Sequence, residues 1–131
     1  MVDLFCGAGG LSLGFSQEGF VTVLANDIDP CRVDTYAHNH PETPRDHIVQ
    51  GDIREVMDHL EELLKDRRGD IVVGGPPCQG FSMANRQRLI DDPRNYLYKS
   101  YLEVVKRVDP PFFVMENVKG MLSVADQVKE D

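Results

Sequence analysis

The sequence predicts an α/β fold built on a mostly parallel, doubly wound sheet. Five short apolar runs alternate with stretches of helical periodicity, and the first run opens directly into a glycine-rich turn. Strands that alternate with helices pair in parallel through right-handed crossovers, which cover both faces of the sheet. Ligands of such sheets bind beyond the carboxyl ends of the strands. Residues capable of chemistry are therefore expected where each strand ends.

Size and composition limit the functions that fit. The 131 residues suffice for one domain with a core, and 41% hydrophobic and 27% charged residues are typical of soluble proteins. No membrane-spanning run or signal peptide is recognisable, so we expect a protein that is not secreted, in the cytoplasm or, in a eukaryote, the nucleus. The net charge of −8 is unfavourable for binding the phosphate backbone of a nucleic acid. Any nucleic-acid surface must be local or belong to a segment absent from this chain.

The opening unit indicates a nucleotide-binding turn. An apolar run from Met1 to Phe5 leads into Cys6-Gly7-Ala8-Gly9-Gly10, and a helical stretch follows from Leu11 towards Glu18. Glycines let the backbone approach a ligand where a side chain would collide. The spacing departs from the dinucleotide pattern G-x-G-x-x-G because Ser12 stands at its last position. A tight turn without a ligand is the alternative interpretation.

The second strand, from Val21 to Asn26, ends at an acid. Asp27 lies 17 residues past Gly10, close to the ~20 at which such folds place a carboxylate on a ribose hydroxyl. Asp29-Pro30 begins the next helix with an N-cap acid and a proline at the first helical position. This helix is expected to extend to about His38.

No metal site is expected. His38 and His40 flank Asn39 without a third ligand nearby, and we expect both to be solvated loop residues. The three cysteines, at positions 6, 31 and 78, are odd in number and irregularly spaced. They predict neither a metal site nor a disulfide framework, and they favour a reducing compartment.

The third unit joins a short strand to a capped helix. Asp46 to Gln50 is the predicted strand, and Asp52 begins a capping-box-like D-x-x-E sequence that Glu55 completes. Apolar residues at helical spacing predict one face of a single helix: Val56, Leu60, Leu63 and Leu64. Capping suffices to explain Asp52, and a role in ligand binding would be additional.

The fourth strand leads into the most informative loop. Asp70 to Val73 is typical of a buried strand, and the Gly-Gly-Pro-Pro sequence after it holds the chain stiff and extended. Cys78 follows at the tip of that loop, whereas a core cysteine would lie within a periodic element. A thiol placed on a loop by a rigid scaffold predicts a reactive nucleophile. The polar connection from Met83 to Pro93 is expected to be a lid or binding loop.

The fifth unit ends in a carboxylate. Apolar residues at helical spacing predict a helix packed on the sheet and ended by a Pro-Pro pair: Leu97, Tyr101, Val104, Val105 and Val108. The strand from Phe112 to Met115 then runs into Glu116-Asn117. The chemically capable residues all follow strand ends, namely the glycine turn, Asp27, Asp52, Cys78 and Glu116. This pattern favours a nucleoside-bearing cofactor beside a thiol and a carboxyl group.

These segments resemble, in order and separation, the motifs of the cytosine carbon-5 DNA methyltransferases. The matching segments are Asp3–Gly10, Asn26-Asp27, Gly51–Ile53, Gly75–Ser82 and Glu116–Val118. The later motifs of the family, including its target-recognition region, have no counterpart. The resemblance implies that residues 1–131 are the N-terminal part of a catalytic S-adenosylmethionine-binding domain with a Rossmann-like methyltransferase fold, truncated on its C-terminal side and weakly active or inactive alone.

The resemblance also implies site residues. Cys78 would attack carbon 6 of a flipped-out cytosine, and Glu116 would face the ring edge while carbon 5 is methylated from S-adenosylmethionine. The implied cofactor-binding residues are Phe5, Cys6, Gly7, Gly9, Gly10, Leu11, Asp27, Ile28, Asp52, Ile53, Pro77 and Leu97. The implied substrate-binding residues are Gln79, Ser82 and Asn117. The implied partner is double-stranded DNA, held mainly through the absent part, without a membrane or a metal, and membership of a restriction–modification system is considered.

Three other interpretations stay open. An RNA (tRNA) cytosine-5 methyltransferase of the same fold would share nearly every residue named, although Gly80-Phe81-Ser82 leans to DNA. A non-catalytic accessory subunit would be expected to lack Cys78 or Glu116, and both are present. A nicotinamide dehydrogenase would explain the glycine turn and Asp27 but would give Pro-Pro-Cys-Gln no role.

Overall fold

The computed structural model describes residues 1–77 and 96–117. The predictions for Cys78, Gln79, Ser82 and the connection from Met83 to Pro93 lie outside these residues. Within them, no helix is both long enough and apolar enough to cross a membrane.

A five-stranded parallel sheet forms the centre of the fold, which confirms the predicted α/β class. Its strands are β1 (Val2–Leu4), β2 (Leu24–Asp27), β3 (Ile48–Gln50), β4 (Ile71–Gly74) and β5 (Phe112–Met115). Their order is β3-β2-β1-β4-β5. The chain therefore moves outward from β1 to β3 and then returns to the other side of β1. This reversal between β1 and β4 is where such sheets open a crevice at the carboxyl ends of the strands.

In the described ranges, five helices connect the strands: α1 (Gly10–Gln17), α2 (Pro30–Asn39), α3 (Ile53–Asp58), α4 (Leu60–Leu64) and α5 (Tyr96–Val108). The Asp29 carboxylate accepts from the backbone N–H groups of Cys31 and Arg32, which confirms the predicted cap of α2. Strand β2 begins at Leu24, three residues after the predicted start at Val21. Two further boundaries were wrong. A 3₁₀ turn (Arg45–His47) occupies the start of the predicted third strand.

The third wrong boundary concerns the helix after Asp52. The single helix predicted there is divided at His59, whose φ of −117° and ψ of 16° lie outside the α-helical region. Leu60 is still buried beyond the break, while Leu63 and Leu64 are only half-buried. The spacing of apolar residues survives the break, so periodicity alone does not reveal it.

The two faces of the sheet are covered differently. Val2, Leu4 and Leu24 join the larger core, which α3 and α5 cover. The intervening positions Asp3 and Ala25 point to the other face, because side chains alternate along a strand. That face packs on α1 and α2, and it contains polar as well as apolar buried groups. Asp3 therefore lies inside the protein, beneath the turn that follows β1.

Strand β5 departs from the expectation that helices cover both faces. Phe112, Phe113 and Val114 are 71%, 52% and 41% exposed. Tyr101 of α5 reaches the strand, with its ring centroid 6.5 Å from that of Phe113 and its hydroxyl donating to the carbonyl of Val114. Among the described residues, α5 contacts the exposed part of β5 through Tyr101, because the helix lies mainly over β4.

Candidate functional site

The turn after β1 is a backbone cradle at the carboxyl edge of the sheet. Phe5, Gly7 and Gly9 have φ values of 56°, 53° and 90°. A non-glycine residue in this region costs about 1–2 kcal/mol, so Phe5 must be held there by its surroundings. The neighbouring Cys6 N–H donates to the Asn26 carbonyl at 2.9 Å. The turn is thus tied to β2.

The outer side of the turn is open. A Cβ added at Gly7 or at Gly10 would meet no atom within 4 Å. Gly9 is the N-cap of α1 and provides no side chain to cap the first turn. The N–H groups that begin a helix are donors with partial positive charge, and they suit an anionic group. The open side therefore fits the carboxylate end of an amino-acid-like ligand.

Asp27 lies at the end of β2, where the sequence predicts a ribose contact, and it also braces the turn. Its Oδ2 accepts from the Gly7 N–H at 2.9 Å, and its Oδ1 accepts from the Asp29 N–H at 3.0 Å. The residue is 4% exposed. Each carboxylate oxygen can accept a second hydrogen bond. A ribose contact is therefore compatible with this geometry, but it would add to a structural role.

Two isoleucines among the implied cofactor-binding residues differ in exposure. Ile28, just past Asp27, is 62% exposed and presents an apolar side chain at the rim. Ile53 is 3% exposed and belongs to the larger core together with half-buried Leu97. Of the two isoleucines, Ile28 has the exposed surface that could lie against a ring.

Asp52 caps α3 and holds an arginine. Its Oδ1 accepts from the Arg54 N–H and Nε, both at 2.9 Å, and its Oδ2 accepts from Nη2 at 2.8 Å. These hydrogen bonds from Arg54 lower the pKa of Asp52 to about 2. The guanidinium carbon lies 5.5 Å from the centre of the Tyr96 ring. The predicted cap is confirmed, and the carboxylate remains an acceptor over the whole physiological pH range.

The ends of β4 and β5 bring Glu116 beside the proline loop. The Glu116 N–H donates to the Gly74 carbonyl at 2.9 Å, and a Cβ added at Gly75 would lie 3.0 Å from Glu116 Oε2. The Asn117 side-chain amide donates to the Pro76 carbonyl at 3.0 Å. Pro77 is exposed, and the next residue in the chain is Cys78. The exposed Glu116 carboxylate thus lies against the backbone that leads to the predicted nucleophile.

The two described cysteines do not resemble nucleophiles. Cys6 is 7% exposed and packs in the core beside α2. Burial raises its pKa well above the usual range, and the nearby carboxylates of Asp3 and Asp27 add to the effect. A thiol in such surroundings is inert, because the thiolate is the reactive form. Cys31 is exposed in the first turn of α2, where its N–H donates to the Asp29 carboxylate.

Comparison with protein families decides what this edge of the sheet belongs to. The model of the C-5 cytosine-specific DNA methylases matches residues 1–129. The chain belongs to this family. Methylases of this family take the methyl group from S-adenosylmethionine, and the open glycine turn, Asp27 and the exposed Ile28 fit that ligand. The predicted resemblance and fold are confirmed.

Bacterial Type II methyltransferases are similar to this methylase chain. M1.HphI of Haemophilus parahaemolyticus is 49% identical over 126 residues, which cover 93% of the chain and 33% of that protein. M.FnuDI of Fusobacterium nucleatum is 43% identical, with 99% of the chain and 37% of that protein covered. M.AquIA of Picosynechococcus is 40% identical, with 94% and 50% covered. The methylase chain thus spans a third to a half of the length of these relatives.

Sequence reasoning missed a row of buried hydroxyls beneath the turn. Ser12 Oγ donates to Asp3 Oδ2 at 2.7 Å, and the Tyr36 hydroxyl lies 2.6 Å from Ser12 Oγ and 3.3 Å from Thr22 Oγ1. Ser12, which breaks the dinucleotide pattern, is thereby the link between α1 and β1. Asp3 Oδ1 is buried without a partner. Desolvation raises the pKa of Asp3 to about 6.

The expectation for His40 was wrong. His38 is exposed, as predicted, but lies within α2 instead of a loop, and His40 is 2% exposed and packs against Tyr36. Its position at the end of α2 suggested a loop residue. The imidazole is instead buried between the Tyr36 ring and Gly9 of the turn after β1. Within residues 1–77 and 96–117, no group of three or more potential metal ligands is present.

Proposed function

We propose that the protein carrying this chain is a DNA (cytosine-5-)-methyltransferase that transfers a methyl group from S-adenosylmethionine to carbon 5 of a flipped-out cytosine. The position of Glu116 against Gly75 is the observation that carries this proposal, because it joins the acid to the loop that ends in Cys78. The family membership of the chain supports the reaction. The Type II designation of the relatives supports a place in a restriction–modification system.

Residues 1–131 would form the N-terminal part of the catalytic domain. Phe5, Cys6, Gly7, Gly9, Gly10 and Leu11 would surround the amino-acid end of the cofactor. Asp27 would accept from the ribose, and Ile28 would lie against the adenine. Asp52, through a remaining acceptor position on its carboxylate, would meet the adenine amine, with Ile53, Pro77 and Leu97 nearby.

S-adenosylmethionine, when bound, supplies an electrophilic methyl group on a positively charged sulfur. Carbon 5 of cytosine is a poor nucleophile, and the thiolate of Cys78 would activate it by adding to carbon 6. The carbon–sulfur bond places electron density on the ring, which Glu116 would stabilise through a hydrogen bond or proton at the ring nitrogen beside the amine. After transfer, a base would take the carbon-5 proton, the electron pair of that bond would restore the double bond between carbons 5 and 6, and the Cys78 thiolate would leave carbon 6.

The DNA partner is proposed on the same basis. Carbons 5 and 6 are hidden within a stacked duplex, so the cytosine must rotate out to reach a thiol on a loop. Gln79, Ser82 and Asn117 are the substrate contacts proposed within this chain. Its net charge of −8 supports placing most phosphate contacts in other parts of the protein.

A methyl-transfer assay on the whole protein tests the proposal. Labelled S-adenosylmethionine is offered with duplex DNA and, separately, with tRNA, and the Cys78→Ser and Glu116→Gln variants are compared with Cys31→Ser. We expect label on DNA for the wild type and Cys31→Ser, and a loss of at least about a hundredfold for the two site variants. Label on tRNA alone would favour the RNA methyltransferase. Binding of NAD but not S-adenosylmethionine would favour the dehydrogenase.

A further inference from the structure

The end of α2 contacts the turn after β1 (residues 5–10) through two side chains, one exposed and one buried. The side-chain amide of Asn39 donates to the Ala8 carbonyl at 3.0 Å. His40 Nε2 lies 3.0 Å from the Gly9 carbonyl oxygen and donates to it, since a carbonyl can only accept. Two consecutive side chains therefore bind two consecutive carbonyls of a turn 31 residues away in the sequence.

The imidazole of His40 is fixed on all sides. It is 2% exposed, and its ring lies 4.4 Å from the Tyr36 ring at an angle of 32°. Nδ1 is 3.1 Å from Glu42 Oε1, so both ring nitrogens face oxygen acceptors. A Cβ added at Gly9 would lie 2.1 Å from Nε2. The ring thus fills the space beside Gly9 and leaves no room there for a side chain at position 9.

The direction of the Gly9 carbonyl sets the direction of an amide on the ligand side. The Gly9 carbonyl and the Gly10 N–H belong to one planar peptide unit and point in opposite directions. The Gly9 carbonyl accepts from His40 Nε2 at 3.0 Å and from the Leu13 N–H at 2.8 Å, the latter being the first hydrogen bond of α1. The Gly10 N–H, at the first position of α1, is therefore directed away from both donors. Asn39 binds the carbonyl of the preceding peptide unit, whose Gly9 N–H donates to the Cys6 carbonyl at 2.9 Å. Both contacts act on the turn that sequence and family assign to the cofactor.

We propose that His40, assisted by Asn39, is a positioning residue that holds the turn in its cofactor-binding conformation before the cofactor arrives. Neither side chain would touch the reacting atoms. Loss of the His40 contact should therefore weaken S-adenosylmethionine binding and leave the chemical step unchanged at saturating cofactor. This inference rests on the proposed cofactor role of the turn.

Variants of His40 separate its hydrogen bond from its ring. His40→Phe keeps a stacked ring but has no donor, whereas His40→Gln loses the ring but can place an N–H near the position of Nε2. Exposed His38 supplies the control, as His38→Ala. In the whole protein, the dissociation constant for S-adenosylmethionine is measured by calorimetry, and kcat is measured at saturating cofactor. Thermal unfolding without cofactor shows whether each variant folds.

The expected result is a dissociation constant raised roughly three- to tenfold in His40→Phe, substantially restored in His40→Gln and unchanged in His38→Ala. The kcat of His40→Phe should stay within about twofold of the wild type. Unchanged affinity in a folded His40→Phe would overturn the proposal, as would a loss that follows only the melting temperature and that glutamine does not restore.

Hydrogen exchange without cofactor tests the contact independently of the proposed function. The amides of Gly9 and Leu13, which donate to the Cys6 and Gly9 carbonyls, should exchange faster in His40→Phe than in the wild type, with the centre of α5 unchanged. Equal exchange in both proteins would also overturn the proposal. A wild type that fails to bind S-adenosylmethionine while these exchange rates differ would instead contradict the proposed function.

Discussion

Asn117 and Pro76 join the ends of the two strands that carry the predicted reaction centre. The Asn117 amide donates to the Pro76 carbonyl at 3.0 Å, across 41 positions of sequence. One residue before Asn117 lies the carboxylate of Glu116, and two residues after Pro76 comes Cys78. The hydrogen bond therefore joins the segment that bears the acid to the described chain that precedes Cys78 in the sequence.

Removal of this hydrogen bond should slow catalysis without affecting cofactor binding. In Asn117→Ala we expect kcat to fall by about tenfold, because a small misplacement of reacting groups is costly. Affinity for S-adenosylmethionine should stay within about twofold, measured by calorimetry. Asn117→Asp keeps the size of the side chain but also lacks the N–H donor, so full activity in that variant would contradict the role. A rise in KM for DNA with unchanged kcat would point instead to direct substrate contact.

Gly9 should tolerate no side chain, whereas its neighbour should. Gly9→Ala would place a Cβ 2.1 Å from His40 Nε2 at a φ of 90°, and Gly10→Ala meets nothing within 4 Å. We expect Gly9→Ala to lower the free energy of unfolding by on the order of 2–4 kcal/mol, from strain and displacement of the imidazole. Gly10→Ala should change it by less than about 1 kcal/mol. The unfolding free energies of both variants are measured in urea. Equal effects would show that the His40 side chain moves aside at little cost.

Because Asp3 is buried, the free energy of unfolding should fall as the pH rises. Burial raises its pKa from 3.8 to about 6, so the folded state resists ionisation of this carboxyl group. The stability that the protonated form contributes is complete below pH 3.8 and is lost by the time the pH exceeds about 6. The full loss is at most about 3 kcal/mol.

Comparison with a variant isolates this effect from other titrating groups. The difference in unfolding free energy between wild type and Asp3→Asn, measured from pH 4 to pH 7, should fall across that window. Ser12→Ala removes a hydrogen bond that lowers the pKa of Asp3, and it should move the fall to higher pH. A flat difference curve would show that Asp3 ionises as easily when folded as when unfolded.

Asp52 should have the opposite effect on the pH dependence of stability, since its contribution to the free energy of unfolding should be lost as the pH falls. The hydrogen bonds from Arg54 lower its pKa to about 2, so its contribution is present above pH 3.8 and is lost as the pH falls towards 2. Asp52→Ala should cost about 1 kcal/mol at neutral pH through loss of the cap of α3. Arg54→Ala leaves the backbone cap in place and should cost less, because the guanidinium is exposed and its ion pair is screened by solvent. Equal losses in the two variants would assign the stabilisation to the ion pair.

The sequence by itself determined the alternation of strands and helices, the bounds of β5 and the cap of α2. These features depend on residues close together in the chain: periodic apolar positions, proline after an N-cap acid and glycine at a tight turn. The sequence also placed Asp27, Asp52 and Glu116 at strand ends, since parallel strands share one carboxyl edge. The motifs were sufficient to predict the methylase family.

Only the tertiary structure decided which groups support that edge. His40 was expected in solvent and is buried against Gly9, and Ser12 joins β1 to α2 instead of completing a glycine pattern. Groups 9 to 31 residues apart in the sequence make these contacts. Their burial depends on where crossovers place α1 and α2 over the sheet, and no local periodicity encodes that placement. The burial of a polar side chain is a property of the assembled layers, because it requires a partner that the neighbouring sequence does not contain.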